Sequence, residues 1–73
     1  MALGEAIRRH RVAKDWLPEQ LAHEAGVSRR TVGNLEEGLY STGIGSVLDV
    51  AHALGLRLVD LLAEAGVDPE ESP

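Results

Sequence analysis

Glu19-Gln20-Leu21-Ala22-His23-Glu24-Ala25-Gly26-Val27-Ser28-Arg29-Arg30-Thr31-Val32-Gly33-Asn34-Leu35-Glu36-Glu37-Gly38 divides at Gly26 into two short runs of helical spacing. Leu21, Ala22 and Ala25 give the first run an apolar face, and Gly26 is placed to cap it in the left-handed conformation that turns a chain sharply. Ser28 then stands as an N-cap, because its hydroxyl can accept an otherwise orphaned amide proton of the next turn. The second run carries Val32 and Leu35 inward and stops at Gly38. Ala22 is small where the two helices must cross, while Val27, Val32 and Leu35 lock the second helix onto the first. The predicted unit is rigid, with Arg29, Arg30, Gly33 and Asn34 on its outer face.

Working outward, the same helical period runs through the rest of the 73 residues, and no sustained alternation favours a strand. Leu3 and Ile7, with His10 and Trp16, mark a first helix and its exit. Pro18 suits the first turn of the second helix, where its missing N–H is no loss. The segment Leu39 to Gly45 is rich in turn formers and reads as a loop. A fourth helix is predicted from about Ser46 to Leu54, presenting Val47, Leu48, Val50, Ala51 and Leu54, and is closed by Gly55. A fifth is predicted from Arg57 to about Ala65, burying Leu58, Leu61 and Leu62 before Gly66. The expected fold class is all-α, a compact five-helix bundle over residues 1–66. Residues 67–73 are expected to form an acidic, disordered tail.

Seven Lys and Arg against twelve Asp and Glu give a net charge of −5. A strongly anionic partner is disfavoured by that total. The distribution runs the other way: Arg8, Arg9, Arg11, Lys14, Arg29 and Arg30 face only four acids within the first thirty residues, and Arg57 is the one later cation. There is no cysteine, so neither a disulfide framework nor a thiolate metal site is possible. His10, His23 and His52 share no metal-ligand spacing, no residues combine into a nucleophile with its base, and no glycine-rich phosphate loop is present. No catalytic residue, metal or cofactor is expected. Without an apolar run of membrane-spanning length or a signal-peptide layout, the chain is expected to be cytoplasmic, with no membrane partner.

The sequence resembles the phage repressor and Cro type of helix-turn-helix domain, also called the Xre family, over roughly Leu3 to Leu62. The resemblance is carried by Leu3-Gly4-Glu5-Ala6-Ile7-Arg8, Glu19-Gln20-Leu21-Ala22, Ala25-Gly26-Val27-Ser28, Leu35-Glu36-Glu37-Gly38, Ala51-His52-Ala53-Leu54-Gly55-Leu56 and Asp60-Leu61-Leu62. It implies that the second helix of the pair is a recognition helix entering the major groove of double-stranded DNA, with Arg29, Arg30 and Asn34 reading base edges. The residue types suit this: arginine can donate two hydrogen bonds to guanine O6 and N7, and asparagine can bond adenine N6 and N7. Ser28, Thr31, Gln20 and Tyr40 are assigned to the phosphate backbone. A structural ion pair between Arg11 and Glu36 is implied as well. The bland alternative makes Arg29 and Arg30 a solvated helix face, and two cations beside a helix N-terminus do oppose its dipole.

The sequence departs from the family pattern in several places. Leu17 and Pro18 replace a polar cap and a DNA-contacting glutamine, and Leu39-Tyr40-Ser41-Thr42 carries no cation where the family often grips phosphate. Gly33 interrupts the recognition helix; it is either neutral at an exposed site or an opening for close approach to DNA. Trp16 is expected in the core. Val59, with Leu58, Leu62, Ala63 and Val67, either extends an apolar strip for a dimer or finishes the monomer core. The function implied is a sequence-specific, repressor-like regulator binding operator DNA as a homodimer. The alternative is a protein-interaction or antitoxin-like domain that keeps the fold with weak or no DNA binding.

Overall fold

A computed structural model describes residues 2–38 and 43–66. Five α-helices follow in order: α1 Ala2–Ala13, α2 Pro18–Ala25, α3 Arg29–Glu36, α4 Ile44–Ala53 and α5 Leu58–Glu64. There is no strand among the described residues, so the all-α, five-helix expectation holds. Tyr40 and the tail 67–73 lie outside the described residues.

The punctuation is chemical. Pro18 opens α2, and Leu17, which has no side-chain acceptor, is served instead by Gln20, whose Oε1 accepts from the Leu17 N–H at 2.7 Å. Gly26 closes α2 at φ 70°, with its own N–H and that of Val27 returning to carbonyls of the last turn. Ser28 then caps α3, its Oγ accepting from the Thr31 N–H at 3.0 Å. The first interhelix turn is made without glycine. Asp15 adopts φ 59°, a conformation tolerated best, after glycine, by Asn and Asp.

Leu3, Ala6 and Ile7 of α1, Leu21 and Ala22 of α2, Val32 and Leu35 of α3, Val47, Val50, Ala51 and Leu54 around α4, and Leu61 and Ala65 around α5 form one core. Helix α2 packs on α3 and α4, while α1 spans α3 and α5. Trp16 is half-buried and packs against this core.

Three expectations need correction. Helix α4 begins at Ile44, inside the segment read as loop, with Gly43 at φ 89° as its N-cap. Leu48 is exposed rather than buried; Val47, Val50, Ala51 and Leu54 complete a stripe at helical spacing, and Leu48 sits one residue off it. Arg57 is the N-cap of α5 rather than its first residue, and Leu58 and Leu62 are only partly buried. Those two leucines pack on the monomer's own core, leaving Val59 exposed.

Candidate nucleic-acid interface

Recognition by a helix needs one face fixed and the opposite face free. The fixed face of α3 is Val32 and Leu35, both fully buried. At about 100° per residue, Arg30, Gly33 and Asn34 fall opposite them, with Arg29 and Thr31 on the flanks. Arg29 and Arg30 are exposed, and Gly33 and Asn34 are half-buried.

The C-terminal end of α3 is clamped to α1. Arg11 donates from Nε to Glu36 Oε2 at 2.7 Å and from its terminal amino group to Glu36 Oε1 at 3.0 Å, a two-pronged geometry. Its other amino group donates to the Trp16 carbonyl at 2.7 Å, tying the clamp to the entrance of α2. The hydrogen bond to Glu36 raises the Arg11 pKa further, against the opposing effect of burial. Gly4 adds a second restraint. A Cβ at this position would lie 2.5 Å from the Glu36 carbonyl oxygen and 2.6 Å from that of Leu35, so α1 and α3 meet backbone to backbone there.

The N-terminal end is held differently. Arg29 donates from Nε to Glu19 Oε1 on α2 at 2.8 Å, with both side chains mostly in water. That bond keeps the Glu19 carboxyl below the ordinary carboxylate pKa, so it is ionised at neutral pH. Glu19 also offsets the opposition between Arg29 and the positive end of α3. Arg30 makes no ion pair with the described residues. The Ser28 and Thr31 hydroxyls are 2.9 Å apart at the same end. Gly33 is open: a Cβ there would meet nothing within 4 Å.

Arg29, Arg30, Ser28 and Thr31 are thus brought together on the first turn of α3, with Asn34 one turn on. Gln20 sits in the first turn of α2, with its carboxamide oxygen engaged by the Leu17 N–H. Two features were missed in the sequence. Glu19 gave no signal, since its partner lies in another helix. Gly4 did give one: a glycine inside a helical pattern marks close backbone approach or lost stability. His10 donates from Nε2 to Glu64 on α5, a carboxylate that also meets Arg9.

Among the described residues, no helix is long and apolar enough to cross a membrane. No curated protein and no solved structure matches the chain. A family model described as helix-turn-helix matches residues 7–61, which contain the whole α2–α3 unit and both of its Arg–Glu pairs, and by that match the chain belongs to the phage repressor and Cro type of DNA-binding helix-turn-helix regulators.

Proposed function

We propose that this domain is a sequence-specific, repressor-like regulator that inserts α3 into the major groove of operator DNA. In this reading Arg29, Arg30 and Asn34 meet base edges, and Ser28, Thr31, Gln20 and Tyr40 meet phosphates. The observation that carries it is the asymmetry of α3: two arginines stand in water on the first turn of a helix whose opposite face is fully buried and whose far end is clamped. A stiff helix whose guanidinium groups stand in water, with the terminal amino groups of Arg29 outside its bond to Glu19, can be read against a groove without first being ordered.

A domain of this size touches few base pairs, so the proposal includes a homodimer on half-sites about one helical turn apart. Val59, exposed on α5, is available to such a contact. Selection of bound sequences from random duplex DNA at fixed ionic strength tests the whole reading. A pseudo-palindromic site is expected, and Arg29→Ala with Arg30→Ala should abolish its enrichment. Each phosphate contact removed should lower the salt slope by about 0.9.

A second reading rests on Leu17, which is 60% exposed at the entrance of α2, beside Pro18 and on a chain of net charge −5. An apolar side chain at that edge suits a protein partner better than phosphate. If random duplex DNA yields no enriched sequence, the domain is an interaction or antitoxin-like module.

A further inference from the structure

We propose that Glu19 is a positioning residue that sets the selectivity of Arg29, directing it to a guanine and away from phosphate. The proposal rests on the base-reading role given to Arg29 above. Guanidinium offers five N–H donors in a planar fork. Glu19 takes the Nε donor at 2.8 Å and leaves the terminal amino pair outside the bond, the edge that can donate in parallel to guanine O6 and N7. Holding a long, exposed side chain from Nε removes rotamer freedom before DNA arrives, so less is lost on binding.

The charge of Glu19 adds a second effect. Its carboxylate is 58% exposed, and the Arg29 hydrogen bond lowers its pKa further below the ordinary carboxylate value. Swinging Arg29 onto a phosphate would either break the bond or bring two anions together. A guanine edge is neutral and presents acceptors, so it draws the terminal amino pair without that repulsion. Arg30 next door has no ion pair among the described residues and serves as the internal control.

Glu19 also lies in the first turn of α2, where a negative charge favours the helix dipole. The test must therefore separate selectivity from folding. Discrimination between the selected half-site and variants with each guanine replaced is measured at one salt concentration for the full chain and for Glu19→Ala, Arg29→Ala and the double variant, alongside affinity for unselected duplex and the melting temperature. Glu19→Ala, which removes both the acceptor and the charge, should lose discrimination at one guanine position by about tenfold, bind unselected DNA roughly twofold more tightly as a repulsive charge goes, and leave discrimination at the other positions unchanged. On the Arg29→Ala background it should change discrimination no further. If Arg29→Ala relaxes one position while Glu19→Ala keeps wild-type discrimination there, whatever its melting temperature, the positioning role is overturned and the base-reading role stands. If Arg29→Ala leaves every position unchanged, or the parent chain distinguishes no sequence, the base-reading role itself falls.

Discussion

The two Arg–Glu pairs that grip α3 have the same chemistry and opposite surroundings. Arg11 and Glu36 join by two parallel hydrogen bonds with side chains only 11% and 12% exposed, whereas Arg29 and Glu19 share one bond with side chains 66% and 58% exposed. Water makes the difference in role. An enclosed pair has little water to turn to, so Glu36 depends on Arg11 for solvation, and Arg11 on Glu36 and the Trp16 carbonyl, and the pair becomes part of the fold. A wetted pair is screened and contributes little to folding, but its groups can be exchanged for those of a ligand. Helix α3 is thus fixed at the end away from its arginines and adjustable at the end that carries them.

Breaking the enclosed pair should have the largest effect. Glu36→Ala or Arg11→Ala is expected to destabilise the domain by about 3 kcal/mol, read from the urea midpoint, because each leaves a charge without its partner. Arg11→Met with Glu36→Leu should recover most of that loss. If the single variants unfold at the parent midpoint, the contrast between the two ends of α3 disappears.

The backbone contact beside the pair comes next. Gly4→Ala would force its Cβ against the Leu35 and Glu36 carbonyls and should cost about 1–3 kcal/mol, despite alanine's better helix propensity. Because that strain falls on α3, DNA affinity should drop with stability.

At the adjustable end, Ser28→Ala removes the cap of α3 and should cost about 1 kcal/mol. Ser28→Gly should cost only a few tenths of that figure, which separates the cap bond from general loosening of the first turn.

Acid titration should show the smallest effect. Glu19, Asp60 and Glu64 all have carboxyl pKa values below the ordinary ones, held there by hydrogen bonds from Arg29, Arg57 and His10 respectively. A lowered folded-state pKa means stability that is present above the unfolded value, 4.5 for the glutamates and 3.8 for the aspartate. That stability is lost as pH falls through the folded value. All three groups are exposed, so thermal melts should show a shallow decline that begins just below pH 5, and Glu64→Gln should flatten it.

What the sequence made legible was mostly backbone chemistry. Gly26, Gly38 and Gly55 all adopt positive φ, and the Ser28 cap is made by the hydroxyl expected to make it. These features are local: the residue type needed at each position is dictated by one or two dihedrals. The start of α4 was not legible because Gly43-Ile44-Gly45 reads as turn, yet the helix opens at Ile44, itself exposed, one turn ahead of the buried Val47 and Val50. The side-chain partnerships were the least visible. Glu19 reaches a residue ten positions away and Glu64 one fifty-four away, and no periodicity records such meetings. Arg29, Arg30 and Asn34 could be nominated only through the family resemblance, with residue type and an outward helix face in agreement, but the brace on Arg29 required coordinates.

Gly33 gives α3 an unused slot on its outward face. Nothing lies within 4 Å of where its Cβ would project, so many side chains can be placed there without disturbing the core, and alanine should even strengthen the helix by about 0.5–1 kcal/mol. Folding therefore exerts no veto on this position. If α3 enters the major groove as proposed, a library varied at residue 33 alone should yield domains of unchanged architecture whose preferred duplex sequences differ, and this vacancy becomes the simplest point from which that preference can be rewritten.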